Sequence, residues 1–130
     1  MCSPYPHTIR GLRLKGRGTF KSARFDAFLS IMPDVKITVV AKLSPGEVFN
    51  ELAASNVNPI CDAVEMGKTY VSKSLSIPEG FCSWAWADIQ RDVAHLALGG
   101  DFKWINKPGS MVSCCTDGLR PVVFKLERVE

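Results

Sequence analysis

The stretch from Pro78 to Gly100, PEGFCSWAWADIQRDVAHLALGG, constrains the fold of this chain more than any other segment. Its apolar spacing predicts an amphipathic helix over about 83–98, which Gly99 ends in a left-handed conformation. One stripe of this helix is apolar and is predicted to face the core. That stripe consists of Trp86, Ile89, Val93, Leu96 and Ala97.

Alternating apolar residues upstream of this helix predict two strands. Val35, Ile37, Val39 and Ala41 alternate with polar residues, which is the period of two of a half-buried strand, and Val40 is the single lapse. A second, shorter strand is predicted at 67–72.

The C-terminal segment predicts a hairpin. Its strands cover about 111–116 and 121–128 and are joined across Asp117-Gly118, a favoured tight-turn dipeptide. Alternation along the second strand divides its side chains between two faces, with Val122, Phe124 and Leu126 inside, and Lys125 and Glu127 outside.

Ser44-Pro45-Gly46-Glu47 predicts the start of a second, short helix, with Ser44 as the N-cap and Glu47 at the capping-box position. This helix would cover 45–54 and bury Val48 and Leu52. The elements together predict an α+β fold, in which a small, mostly antiparallel sheet packs on one long amphipathic helix plus a short helix.

We expect a single α+β domain over residues 35–130, preceded by a basic N-terminal extension over 1–34. The net charge of +3 divides unevenly, because residues 1–34 carry six basic and two acidic side chains, whereas the remainder carries ten and eleven. The basic character therefore belongs to the extension, and we expect no nucleic-acid partner. Within the extension, only a short helical turn at 25–32 is predicted.

Signatures of membrane insertion, secretion and cofactor binding are missing. No apolar run reaches the roughly 18 residues of a membrane span, and the N-terminus lacks a secretory core, which favours a cytoplasmic location. The five cysteines are odd in number and lack the spacing of secreted proteins, so reduced thiols are predicted. Because no dinucleotide-binding, P-loop, zincin or hydrolase motif occurs, we expect no cofactor.

Cys82 is the first candidate for chemistry because it directly precedes the long helix. Free backbone N–H groups and the dipole at a helix start stabilise a thiolate, which can act as a nucleophile or acid–base group. The alternative is an inert cysteine that fills space in the core.

The other cysteines raise a second hypothesis. Cys114 and Cys115 are neighbours on a predicted strand, so their side chains point to opposite faces and one of them is expected in the core. Cys61 could join Cys82 and one of this pair in a thiolate metal site, although no CxxC pair occurs. We expect no metal, with Cys61, Cys82, Cys114 and Cys115 as the alternative ligand set.

Charged and aromatic residues complete the predicted site. Asp88 lies one helical turn from Trp84 and is a second candidate acid–base group. Arg120 is suited to bind a carboxylate or enolate oxygen, and Asp117 either only forms the turn or also contacts substrate. Trp84 and Trp104 are predicted to line an apolar cavity.

Four segments of the chain, VKITVVAKL, PEGFCSWAWADI, LGGDFKW and SCCTDGLRPVVFKLERVE, resemble a small family of uncharacterised microbial and fungal proteins. That family is built around a PEGFCxWAWxDI segment followed by CCTDGxRPVxFKLER. The resemblance covers about residues 35–130 and implies no specific activity, but fungal relatives imply specialised metabolism. The motif positions are Cys61, Cys82, Trp84, Trp86, Asp88, Cys114, Asp117 and Arg120.

The sequence thus leads us to expect a small cofactor-independent enzyme that isomerises, cyclises or dehydrates a hydrophobic organic substrate. Cys82 or Asp88 would move a proton, and Arg120 would stabilise a developing oxyanion. Two alternatives remain open: a thiolate metal-binding module, and a non-catalytic accessory protein that binds a partner enzyme of a biosynthetic pathway.

Overall fold

The computed structural model describes residues 19–129, which form four strands and three helices. The strands are β1 (Val35–Lys42), β2 (Thr69–Ser72), β3 (Ser110–Cys114) and β4 (Val122–Arg128), and the helices are α1 (Thr19–Ser30), α2 (Glu47–Leu52) and α3 (Ser83–Ala97). The strands make one antiparallel sheet in the order β2-β1-β4-β3. This arrangement confirms the predicted α+β fold.

Helix α3 packs on strands β1, β3 and β4, and the core lies between the helix and the sheet. Ile89 and Leu96 of the helix are fully buried, as predicted, and so are Ile37 and Phe124 of the two central strands. Each such side chain contributes on the order of 1.5–3 kcal/mol through removal from water. The core therefore fixes the start of α3 relative to the sheet.

The buried face of α3 differs from the predicted stripe at three residues. Trp86 is only half-buried and packs at the margin of the core, whereas Ala85 and Asp92 are buried. Burial of the Asp92 carboxylate is tolerated because the Ser113 hydroxyl donates a hydrogen bond to its Oδ2 at 2.8 Å. The hydrophobic pattern does not reveal such a polar contact between helix and sheet.

The single lapse in the alternation of β1 coincides with a register shift. Val40 lies between Val39, which pairs with Phe124, and Ala41, which pairs with Val123. A bulge at this point re-aims the side chains that follow it. Val40 lies on the outer face and is exposed, while Val35, Ile37 and Val39 are buried as predicted. Ala41 was predicted on the same side as these three, but beyond the register shift it pairs with Val123 and is only half-buried.

The predicted hairpin of the last two strands is present, but its connection is longer than the predicted strand bounds of 111–116 and 121–128 allow. Strand β3 ends at Cys114 and β4 begins at Val122, so residues 115–121 form a longer connection, called here the 115–121 loop. The ladder continues for one further bond, from the Cys115 N–H to the Val122 carbonyl at 3.0 Å. The loop is longer because Asp117 binds backbone N–H groups inside it.

Helix α2 is shorter than predicted and does not contribute to the core. It covers Glu47–Leu52 with Gly46, at a φ of 57°, as its N-cap instead of Ser44. Val48 and Leu52 are 47% and 68% exposed, respectively. The local start signals produce a helix here, but none of its side chains is fully buried by the part of the chain that the structure describes.

Part of the predicted extension is helical. Helix α1 covers Thr19–Ser30 and is longer than the short turn expected at 25–32, whereas residues 1–18 of the extension lie outside the described residues. The domain boundary near residue 35 remains a prediction. Among the described helices, none combines the length and hydropathy needed to cross a membrane.

Candidate functional site

A cleft of about 340 Å³ opens between the start of α3 and the 115–121 loop. This volume is at the lower end of the range for small-molecule sites. Three parts of the chain line it: the segment before β2, the first turn of α3, and the 115–121 loop with the start of β4. The core packing of α3 on the sheet thus determines the shape of the cleft.

One wall of the cleft is apolar. Val64, Ala85, Val122 and Phe124 line it, and all four side chains are buried. Trp84 also lines the cleft but is 65% exposed, so its indole lies at the mouth. An apolar body can therefore leave water on this wall, with an aromatic surface available at the opening.

Three thiols line the same cleft: Cys61, Cys82 and Cys115. Cys115 is buried, and its Sγ accepts a hydrogen bond from the Val122 N–H at 3.3 Å. Cys114 is exposed on the other face of the sheet, which confirms that the two neighbours diverge and that one lies in the core.

Cys82 is the N-cap of α3, in agreement with the sequence. Its carbonyl accepts the first helical hydrogen bond, from Trp86 N–H at 2.9 Å, while its side chain makes no capping hydrogen bond. The thiol is half-buried in the cleft lining. It therefore lies beside the helix start without occupying the N–H groups of the first turn.

The alternative metal site finds no complete ligand set in the structure. Within residues 19–129, no group of three or more His, Cys, Asp or Glu side chains is arranged to hold a metal ion. Of the predicted set, Cys61, Cys82 and Cys115 line one cleft, whereas Cys114 is exposed on the opposite face of the sheet.

Arg120 lines the cleft, and its side chain is 17% exposed. Its guanidinium lies 3.6 Å from Asp117 Oδ2 and 3.7 Å from Asp62 Oδ1. Asp117 Oδ1 also accepts hydrogen bonds from the N–H groups of Leu119 and Arg120, at 2.9 and 3.1 Å. Asp117 therefore forms the turn and also lines the cleft beside Arg120, so both of its predicted roles are compatible with its position.

Asp88 does not line the cleft. Its Oδ2 accepts hydrogen bonds from the Thr116 N–H at 2.8 Å and from the Thr116 hydroxyl at 3.0 Å. The carboxylate is hydrogen-bonded to the loop, so its position gives no support to the candidate role in moving a proton, which stays a prediction. Asp88 is a positioning residue that attaches the 115–121 loop to α3.

Trp104 lies outside the cleft, which corrects its predicted place beside Trp84. It is 72% exposed, and its ring packs on Phe102, which in turn contacts His95 near the C-terminal end of α3. A helix of 15 residues is about 22 Å long, so the two tryptophans belong to opposite ends of it.

Sequence reasoning missed three residues around the cleft. Thr116 provides both donors to Asp88, and Val64 forms part of the apolar wall. Lys42 donates from Nζ to the Val64 carbonyl at 2.7 Å and so holds that wall against β1. Thr116 could have been identified from its position next to Cys115. Lys42 could not, because its contact with Val64 spans 22 positions of sequence and no local pattern indicates it.

Comparison of the chain with protein-family models, with curated proteins and with solved structures found no match. The resemblance carried by the two long motifs therefore stays a prediction, and the functional argument depends on the residues of the cleft.

Proposed function

We propose that the chain is a small cofactor-independent enzyme that isomerises, cyclises or dehydrates a hydrophobic organic substrate in this cleft. One observation carries the proposal: an apolar wall, the Cys82 thiol and the Arg120 guanidinium line the same 340 Å³ cleft. Apolar pockets with a few convergent polar groups are the usual form of a small-molecule site.

In the proposed chemistry, Cys82 moves the proton and Arg120 stabilises the oxyanion. The Cys82 thiolate removes a proton from a carbon next to a carbonyl, and the electron pair moves onto the carbonyl oxygen, which Arg120 stabilises. The resulting thiol returns the proton at another carbon, so that isomerisation is balanced without a co-reactant. The position of Cys82 at the N-cap of α3 supports this role, because a helix start favours a thiolate.

The surroundings of these groups support the same proposal. Asp88 attaches Thr116 to α3, and within the loop Asp117 accepts from the Arg120 N–H, so the loop that carries the guanidinium is held to the helix and closed by its own turn. A cytoplasmic location fits the proposal, since the cysteines of the described part are free thiols, which persist there. The resemblance to fungal proteins would place the substrate in specialised metabolism.

Turnover in D₂O is the direct test. The purified protein is incubated with fractionated small-molecule extracts, and mass spectrometry detects products that are isomeric with a precursor or lighter by one water. We expect isomeric products to carry deuterium, with conversion lost in Cys82→Ser and retained in Cys114→Ser. Equal turnover by Cys82→Ser would remove the thiol from the mechanism, and no conversion by the native protein would reject the enzyme.

A further inference from the structure

The donors of Arg120 are not saturated by the protein. A guanidinium has five N–H donors, and a charge-assisted hydrogen bond to a carboxylate is about 2.7–2.9 Å long. The neighbouring carboxylates of Asp117 and Asp62 lie at 3.6 and 3.7 Å, and the guanidinium donates no hydrogen bond to any residue in the described part of the chain. Arg120 thus presents unused donors to the cleft.

Neither carboxylate is suited to take up these donors fully. Asp117 already uses Oδ1 to accept two backbone N–H groups of its own turn. The Asp62 side chain is 75% exposed, so water competes for its oxygens. A ligand oxygen inside the cleft would meet the guanidinium with less water around it than Asp62 does.

The first turn of α3 brings backbone N–H donors to the cleft that Arg120 also lines. Trp84 and Ala85 line the cleft, and the first N–H group that donates a helical hydrogen bond is that of Trp86. The preceding N–H groups of the helix have no helical acceptor, and the Cys82 side chain does not cap them. The positive charge of Arg120 favours a negatively charged ligand group, and these free N–H groups strengthen that preference.

We infer that the substrate is an apolar carboxylic acid whose carboxylate binds Arg120 and whose hydrocarbon or aromatic body lies against Val64, Phe124 and Trp84. This inference rests on the proposed function and names the group by which the substrate is recognised. The carboxylate would take two of the five guanidinium donors and orient the apolar body with its reacting carbon toward Cys82, which leaves donors for the developing oxyanion. A neutral molecule of the same shape would offer the guanidinium no charged acceptor.

Binding of a matched acid and amide tests this inference. The probes are 2-naphthoate and its neutral isostere 2-naphthamide, with 3-phenylpropanoate as a smaller acid, and calorimetry or NMR titration measures their affinities for the full chain. We expect the native protein to bind the naphthoate at least about tenfold more tightly than the amide. Arg120→Gln should abolish this difference and leave amide binding within about twofold.

Arg91→Gln is the matched control, because the Arg91 side chain is 83% exposed and lies outside the cleft. It should keep the full preference for the acid. If Arg120→Gln fails to fold, Arg120→Lys is the second variant. It keeps the positive charge but lacks the paired donors of the guanidinium, and it should reduce the preference for acid over amide severalfold. Equal affinity for acid and amide, a preference that survives Arg120→Gln, or no binding of either acid at about 5 mM would overturn the inference.

The two proposals fail in different ways. Acids that bind through Arg120, with no deuterium entering any carboxylic acid in the turnover assay, would support this inference and reject the enzyme. Conversion of a neutral substrate by a protein that does not prefer 2-naphthoate over its amide would support the enzyme and reject the inference.

Discussion

The carboxylate of Asp88 accepts hydrogen bonds from both the backbone N–H and the hydroxyl of Thr116, at 2.8 and 3.0 Å, across 28 positions of sequence. This contact joins the first half of α3, which begins at Cys82, to the loop that carries Asp117 and Arg120. The thiol and the guanidinium belong to different segments, so their relative position depends on this connection.

Asp88→Ala should lower the free energy of unfolding by about 1 kcal/mol, a modest loss because Thr116 is exposed and water replaces the lost acceptor. The larger effect is expected locally, as faster hydrogen exchange of the Thr116 amide. Asp88→Asn keeps an acceptor oxygen and should recover much of the protection. Gln90→Ala, at an exposed position of the same helix, is the control. Unchanged exchange at Thr116 in Asp88→Ala would contradict the positioning role.

The neighbouring thiols Cys114 and Cys115 should differ in reactivity. Cys114 is exposed, whereas Cys115 is 8% exposed and its sulfur accepts the Val122 N–H. We expect iodoacetamide to label Cys115 at least about tenfold more slowly than Cys114, because reaction at Cys115 requires local opening. Peptide mapping by mass spectrometry measures each rate, with the urea-unfolded chain as the reference. Equal rates in the folded protein would place Cys115 at the surface.

Residues whose positions follow from a local sequence pattern were predictable. The 3.6-residue period located α3, the two-residue period located the core side of β1 and β4, and the N-cap position of Cys82 follows from where the helix begins. The turn chemistry of Asp117 identified the loop that carries Arg120, although not its length. From these local signals we expect Cys82 and Arg120 to share a site, and both residues line the cleft.

Residues whose places depend on long-range contacts were not predictable. The segment that carries Trp104 is held at the far end of α3 by a contact between Asp101 and Arg128, which are 27 positions apart. Likewise, nothing near Val48 in sequence reveals that the described part of the chain fully buries none of the α2 side chains. Local pattern fixes the type of an element, whereas its neighbours are set by the whole chain.

Arg128→Ala should destabilise the fold by about 2 kcal/mol. Its guanidinium donates to the carbonyls of Leu96 and Gly100, at 3.2 and 3.0 Å, and contacts Asp101 at 3.3 Å. These carbonyls belong to the end of α3, where a cation also interacts favourably with the helix dipole. Urea denaturation measures the loss, and Lys103→Ala, at an exposed position whose side chain makes no hydrogen bond or ion pair with the described residues, should cost less than about 0.5 kcal/mol. Similar losses in the two variants would exclude the capping role.

Glu127 makes the stability depend on pH. It lies on the outer face of the sheet, as predicted, but it is only 9% exposed, because lysine side chains surround it there. Its Oε1 lies 2.8 Å from Lys107 Nζ, and its Oε2 lies 2.9 Å from Lys36 Nζ and 3.1 Å from Lys125 Nζ. The hydrogen bond from Lys107, followed by that from Lys36, lowers the pKa of Glu127 from 4.5 to about 2, although burial opposes this shift.

Because the pKa of Glu127 is lower in the folded chain, its contribution to stability is complete above the unfolded value and is lost as the pH falls toward about 2. At 1.36 kcal/mol per pKa unit the contribution is at most about 3 kcal/mol, and exposure of the lysines reduces it. Glu127→Gln should therefore be less stable at pH 7 by about 1–3 kcal/mol, with a flatter stability profile between about pH 5 and 2. Urea midpoints across this range measure both effects. Glu79→Gln, at an exposed position, should keep the native profile, and an equally steep profile in Glu127→Gln would assign the acid sensitivity to other carboxylates.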